Sequence, residues 1–175
     1  MDDLIVRVRE VLSTTPERWR LLSASVNLDL LDRRPAPGEW SAIECLQHLL
    51  KAEVGAFTVR LQAFLDGRDL TAFDPDADGA RPEPTKDPAV MAARFADARA
   101  RSLTNLAGVT EADLKRTARH PKLGQVTLAE MLNQWAAHDL MHTVQGERAV
   151  MQPFIVASGP WRGHFADHDA GAVGS

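Results

Sequence analysis

One segment of the chain combines a strong helix pattern with two histidines, and it limits the folds that the chain can adopt. Thr127 and Glu130 predict a capping box at its start, and the helix pattern continues to about Met151. Within it, His138 and His142 lie four residues apart. Positions i and i+4 share one face of a helix, roughly 5.4 Å apart along the axis, so the two imidazoles can converge on a single ion.

Three further helices are predicted from apolar residues at three-and-four spacing. The first covers residues 4–26, either as one kinked helix or as two short ones, with Pro16 at the junction. The second runs from Ala42 to about Leu65, and the third runs from Pro88 to about Leu106. No segment of the chain shows a convincing strand pattern, so the sequence favours an all-α protein.

Segments rich in proline, glycine and polar residues separate these helices. Residues 34–39 form a clear breaker, and residues 66–88 are expected to form a long exposed loop of the kind that often lies over a site. Residues 117–126 indicate an irregular loop or a small hairpin. Pro153 and Gly159-Pro160 are expected to stop the last helix.

Length and composition are ordinary for one globular domain. The chain has 175 residues, of which 45% are apolar and 25% are charged. We expect a helical bundle domain over residues 1–160 and a flexible C-terminal tail over residues 161–175. An all-α four-helix bundle with long connecting loops is the simplest architecture for this pattern.

Charge and hydropathy argue against several classes of partner. The net charge is −4 and there is no basic block, which argues against a nucleic-acid partner. No apolar run approaches the roughly 20 residues that a membrane span needs. The N-terminus is acidic and lacks a signal-peptide pattern, and a single cysteine excludes an internal disulfide. We therefore expect a cytoplasmic protein.

A third ligand for the ion must come from another helix, and His48 is the best candidate. It lies in the middle of the second helix, which a bundle could place opposite His138 and His142. Three neutral imidazoles with open coordination positions suit zinc, nickel or ferrous iron, and such a site could act as a Lewis acid or activate a nucleophile. Ordinary surface or core histidines are the alternative interpretation.

Other side chains near these histidines are candidates for supporting roles, and no residue is assigned a catalytic role. Cys45 could be a nucleophile or a fourth ligand, although a small buried hydrophobe is the commoner role of such a cysteine. Asp139 points about 100° away from His138, which indicates a structural or supporting role. His164 and His168 are interpreted as solvated tail residues. The remaining candidates for supporting or pocket positions are Glu44, Trp135 and Gln145, with Trp40 and Phe57 as further aromatic residues that could line a pocket.

Two motifs of the chain resemble those of DinB-like proteins. Residues 34–41 read Arg-Pro-Ala-Pro-Gly-Glu-Trp-Ser and, with His48, resemble the opening of that family's second helix. The run from His138 to His142, followed by Gln145, resembles its fourth-helix motif. The resemblance spans about residues 4–155. It implies an up-down-down-up four-helix bundle, often a homodimer, with one divalent metal held by these three histidines.

The resemblance also implies a type of reaction. Several DinB-like proteins are metal-dependent thiol transferases or isomerases that use bacillithiol, mycothiol or glutathione, and the thiolate is the reactive form of such a cofactor. The leading hypothesis is therefore a thiol S-transferase that acts on a small electrophile with a low-molecular-weight thiol. A metal-dependent hydrolase, with Glu44 as the one candidate base, is an alternative. A non-enzymatic, stress-related metal-binding bundle is another.

Overall fold

The computed structural model describes residues 4–73 and 87–171, and these residues fold into a bundle of long helices. The helices are α1 (Leu4–Ser25), α2 (Leu28–Leu31), α3 (Ala42–Ala52), α4 (Thr58–Asp66), α5 (Pro88–Leu106) and α6 (Leu128–Ala157). A π-helical turn, Glu53–Phe57, joins α3 to α4. The smaller elements are the 3₁₀ turns Asp113–Lys115 and Gly159–Phe165 and the strands β1 (Thr117–His120) and β2 (Gly124–Thr127).

The packing of these helices confirms the predicted four-helix bundle. Helices α1 and α3 each pack against both α5 and α6, so α1 and α3 occupy opposite corners of the bundle. Strands β1 and β2 form an antiparallel hairpin immediately before α6. No helix in the described part of the chain is both long enough and apolar enough to cross a membrane.

Local capping signals in the sequence explain where the helices begin. Ser41 forms a capping box with Glu44 at the start of α3, and Thr127 forms one with Glu130 at the start of α6. Asp87 caps α5 through its side chain, and proline follows at the first helical position. These three predicted starts are confirmed.

The second predicted helix is helical throughout residues 42–66, as its spacing indicates, but it contains a π-helical turn that was not predicted. At the π-helical turn, the backbone N–H and the hydroxyl of Thr58 both donate to the Glu53 carbonyl oxygen. Glu53 and Phe57 are both buried in this turn. The spacing of apolar residues gives no indication of where a π-helical turn occurs.

Two prolines lie inside helices rather than at their ends. Pro16 lies within α1, which is one helix. The predicted end of the last helix at Pro153 is wrong, since α6 continues to Ala157. Beyond Pro153, burial of Ile155 against the bundle favours the helical path over a break.

Residues that follow α6 pack back onto it, although the sequence indicates a flexible tail from residue 161. The carbonyl oxygen of His168 accepts hydrogen bonds from Arg148 and Gln152, at 2.9 Å each. The backbone N–H of Ala170 donates to the Gln152 side chain at 2.8 Å. The predicted loop at 66–88 lies in part outside the described residues, at 74–86.

The core is divided into two apolar clusters. The first includes Val8, Leu12, Phe57, Leu61, Phe64, Leu106, Leu132 and Trp135. The second includes Trp19, Ile43, Leu46, Leu49, Met91 and Phe95. Helices α1, α5 and α6, and the segment formed by α3, the π-helical turn and α4, therefore each contribute residues to both clusters.

A polar layer lies where the helices cross between the two clusters. On α1, Thr15 lies between Leu12 of the first cluster and Trp19 of the second. Arg99 occupies the equivalent place on α5, and Glu53 does so in the π-helical turn. With Asp139 on α6, these residues form what we name the Arg99 layer: Thr15, Glu53, Arg99 and Asp139. Buried charges require partners, and the layer supplies them.

The guanidinium of Arg99 binds both carboxylates of the layer in a bidentate manner. It donates to the two Glu53 oxygens at 2.9 and 2.8 Å and to the two Asp139 oxygens at 2.7 and 2.9 Å. Each of these three side chains is only 1% exposed. Burial alone would lower the pKa of Arg99, but the hydrogen bonds that it donates to Glu53 and Asp139 raise the pKa above its ordinary value. The guanidinium therefore stays charged.

Arg99 also accounts for the uninterrupted course of α1. Proline has no backbone N–H, so Pro16 cannot donate to the Leu12 carbonyl oxygen one turn earlier. That oxygen instead accepts a hydrogen bond of 2.8 Å from Arg99. The tertiary contact replaces the missing helical bond and satisfies a buried acceptor.

We predict that Arg99→Met destabilises the protein strongly. The substitution leaves two buried carboxylates without their cation, and breaking such a pair costs about 3–5 kcal/mol of unfolding free energy. The exposed Arg101 on the same helix is the matched control, and Arg101→Met should change stability by no more than about 0.5 kcal/mol. Urea unfolding of both variants measures this, and equal stabilities would contradict the prediction.

Candidate metal centre

Three histidines from two packed helices converge between α3 and α6. His48 lies on α3, and His138 and His142 lie one turn apart on α6. The Nε2 atoms of His48 and His138 are 2.9 Å apart, and one ring nitrogen from each of the three histidines lies within 4.8 Å of the others. The structure thus brings together the three histidines that the sequence indicated as ligands, which we name the three-histidine site.

A glutamine sets the tautomer of one of these rings. The Nδ1 atom of His142 lies 2.8 Å from Oε1 of Gln145, which can only accept a hydrogen bond. His142 therefore carries its proton on Nδ1, and Nε2 keeps a lone pair. Orientation of a ligand ring through its other nitrogen is usual at metal sites. Gln145 thus has the supporting position that the sequence proposed for it.

Burial favours the neutral, metal-binding form of all three rings. It lowers the pKa of His48 to about 4 and that of His138 to about 3, and neighbouring histidines act in the same direction. Burial also lowers the pKa of His142. Neutral nitrogen donors suit a divalent ion, since a metal ligand must be deprotonated. The donor set of the three-histidine site fits such an ion, and these residues could hold one.

Aromatic rings enclose the three-histidine site on two sides. The Trp40 ring stacks on His142 with the centroids 5.6 Å apart and lies 4.9 Å from the His48 ring. Phe57, placed by the π-helical turn, meets His138 edge-on at 5.1 Å. Phe57 also forms a parallel stack on Trp135 at 5.0 Å. These rings limit where a substrate can approach.

The Arg99 layer lies directly behind the three-histidine site. Trp135 donates through Nε1 to the Glu53 carboxylate at 3.1 Å, so it is a buried link rather than part of an open pocket wall. Asp139 is adjacent in sequence to His138 but points to Arg99, as its helical position predicted. The layer therefore fixes the helix that carries two of the three histidines.

Cys45 and Glu44 are both committed to structural roles. The thiol of Cys45 is fully buried, and burial raises its pKa to about 12, which keeps it protonated at neutral pH. Glu44 accepts hydrogen bonds from Arg34 and from the Ser41 backbone. Burial opposes ionisation of Glu44, but these contacts lower its pKa. Neither side chain belongs to the group of possible metal ligands in the described residues.

The remaining histidines lie elsewhere. His120 lies in the hairpin, where its Nδ1 accepts hydrogen bonds from the backbone N–H groups of Lys122 and Leu123. His164 and His168 are exposed in the segment after α6.

Sequence reasoning missed Glu53 and Arg99. A signal for Arg99 was present, because it shares helical spacing with Phe95, Ser102 and Leu106 on the inner face of α5. A charged residue on a core face requires a buried partner. Glu53 carried the same kind of signal, because it follows the buried residues Leu50 and Leu46 by three and seven positions on the apolar face of α3.

We predict that the metal-free protein loses stability as the pH falls below about 6.5, the ordinary pKa of histidine. Below that value the unfolded chain takes up protons that folded His48 and His138 do not, so unfolding becomes easier until the pH reaches the lowered pKa values. Urea unfolding with a chelator present should show this slope. His138→Leu should reduce the slope, whereas the exposed control His164→Leu should keep it. An unchanged slope in His138→Leu would refute the assignment of this pH dependence to the buried histidines.

Comparisons with known proteins agree with the fold and with the motifs. A family model described as the DinB superfamily matches residues 12–145. Among solved structures, the chain is similar to YfiT from Bacillus subtilis, described as a probable metal-dependent hydrolase with an unusual four-helix bundle topology. The TM-score is 0.75 at 19% sequence identity, over 85% of this chain and 87% of that one.

A second similar structure is YjoA, a DinB-like protein from Bacillus subtilis. Its TM-score is 0.56 at 19% identity, over 82% of this chain and 90% of that one. No curated protein sequence matches the chain. At this level of identity the solved structures show a shared fold only. The superfamily match, however, covers more than half of the chain and confirms the resemblance seen in the sequence motifs: the chain belongs to the DinB superfamily.

Proposed function

We propose that the protein is a metal-dependent S-transferase that joins a low-molecular-weight thiol to a small electrophile. The observation that carries this proposal is a cluster of three buried or half-buried histidines near which the described carboxylates, Glu44, Glu53 and Asp139, are engaged by arginines. A divalent ion such as zinc, nickel or iron would supply Lewis acidity there and would lower the pKa of a thiol. The thiol is itself the nucleophile, so the reaction does not need a side chain of the protein to generate a nucleophile from water.

The side chains around the three-histidine site would do three things in this reaction. His48, His138 and His142 would hold the ion, and Gln145 would keep the His142 ring oriented through its 2.8 Å hydrogen bond. Trp40 would exclude water from one side of the site. In the transfer step the thiol sulfur forms a bond to the electrophilic carbon, the leaving group departs with its electron pair, and the thiol proton passes to solvent.

The carboxylates nearest to the three-histidine site give little support to water activation. A hydrolytic mechanism benefits from a carboxylate base that can accept a proton from water. Among the described residues, Glu53 and Asp139 are bound to Arg99, and Glu44 is bound to Arg34 and the Ser41 backbone.

Metal-dependent hydrolysis is nevertheless the second candidate, because the similar structure YfiT is described as a probable metal-dependent hydrolase. The two candidates differ in one requirement. An S-transferase is inactive without a thiol, whereas a hydrolase turns over esters or amides in water alone.

We predict thiol-dependent turnover that requires the three-histidine site. Zinc-loaded protein with a panel of small thiols should release chloride from monochlorobimane and form the fluorescent thioether faster than the uncatalysed reaction. His138→Ala should lower kcat/KM by about 100-fold or more, because it removes an expected ligand. Exposed His164→Ala is the control and should retain the wild-type rate.

Activity that is equal in His138→Ala and in the wild type would refute the proposal. Hydrolysis of p-nitrophenyl esters without thiol, lost in His138→Ala, would instead establish the hydrolase.

A further inference from the structure

A cavity of about 300 Å³ lies beside the three-histidine site, between α4, the hairpin and the first turns of α6. This volume is at the lower end of the range for small-molecule sites. Its apolar walls are Leu70, Leu123, Val126 and Met131. A cavity of this kind binds a small ligand when a few polar groups converge in it.

The main polar group of this cavity is Arg60, whose Nε atom has no hydrogen-bond partner among the described residues. Its Nε atom is buried, and no group in the described residues accepts a hydrogen bond from it. Burial lowers the pKa of Arg60, and no carboxylate of the described residues forms an ion pair with it. Arg68, nearby in sequence, differs because it binds Asp66 at 2.8 Å. A half-buried guanidinium without an anion is an unusual arrangement, since buried charges are normally paired.

Two more polar residues of the cavity define what could bind to Arg60. Nδ1 of His120 accepts two backbone hydrogen bonds, so a neutral His120 ring carries its proton on Nε2 and can donate from there. Glu130 also lines the cavity, but its carboxylate accepts hydrogen bonds from the Thr127 backbone and hydroxyl. The cavity thus offers hydrogen-bond donors and a positive charge, while its one lining carboxylate is engaged in a helix cap.

The cavity lies about one helical turn from the three-histidine site. Gln134, in its wall, precedes His138 by four residues on α6, a rise of about 6 Å. On the opposite wall, Arg60 follows Phe57 by three residues, and Phe57 contacts the His138 ring at 5.1 Å. The charge of Arg60 also contributes to lowering the pKa of both His138 and His120, so the guanidinium lies near both rings.

We propose that this cavity binds the carboxylate of a small-molecule substrate through Arg60, with the reacting end of the substrate directed to the three-histidine site. The guanidinium fork matches a carboxylate in geometry and charge. Where the substrate is the thiol, this inference rests on the proposed S-transferase function and specifies an acidic thiol. The carboxylate site itself is independent of the reaction.

A binding experiment on metal-free protein tests the site without relying on activity. The probes are 3-mercaptopropionate and its neutral amide, which differ mainly in charge, and NMR titration gives the two dissociation constants. The wild type should bind the acid about tenfold or more tightly than the amide, as expected for hydrogen bonds to a charged group. Arg60→Gln should abolish this preference, Arg60→Lys should keep part of it, and the control Arg68→Gln should keep all of it.

Equal binding of the acid and the amide by the wild type would overturn the proposal, as would a preference that survives in Arg60→Gln. Thioether formation by the zinc-loaded protein separates the two claims. Preferred binding of the acid without any thiol turnover would support the carboxylate site and refute the S-transferase. Turnover with equal KM for both thiols in the wild type would support the S-transferase and refute the role of Arg60.

Discussion

The buried guanidinium of Arg99 is the contact through which the helices of this bundle are held in register. It binds Glu53 of the π-helical turn, Asp139 of α6 and the Leu12 carbonyl oxygen of α1. Every one of these acceptors is buried, so the layer stabilises the fold only when it is complete. A shift of any one helix along its axis would separate charges at the centre of the bundle. Apolar clusters alone would permit the helices to slide along one another. The Arg99 layer therefore specifies their alignment.

This alignment also determines the chemistry of the three-histidine site. Asp139 anchors the turn of α6 that carries His138, and the Glu53 carboxylate holds Trp135 through a hydrogen bond of 3.1 Å. Trp135 in turn supports Phe57, whose edge contacts His138. A chain of hydrogen bonds and ring contacts thus connects the Arg99 layer to one histidine of the candidate metal centre. The side chains of that chain are unavailable as proton acceptors, and this favours a nucleophile that the substrate supplies.

Much of the fold follows from the sequence because helix starts depend on local chemistry. The capping pairs at Ser41 and Thr127 predict where α3 and α6 begin. The family motifs predict that His48 lies beside the two histidines of α6. The features that the sequence left open or missed have tertiary causes. Pro16 lies inside a helix because Arg99 replaces its hydrogen bond, and no local pattern contains that information. The π-helical turn likewise depends on how Glu53 and Phe57 pack. Homodimer assembly and a cytoplasmic location remain predictions from the sequence.

The claim on which the functional account depends is that the three-histidine site holds one divalent ion. Mass spectrometry of metal content, on protein purified without a histidine tag, tests it most directly. The account predicts about one divalent ion per chain, lost in both His48→Ala and His142→Ala and retained in the exposed control His164→Ala. Absence of bound metal after incubation with zinc, nickel, manganese and iron, or full metal content in the two ligand variants, would contradict the account.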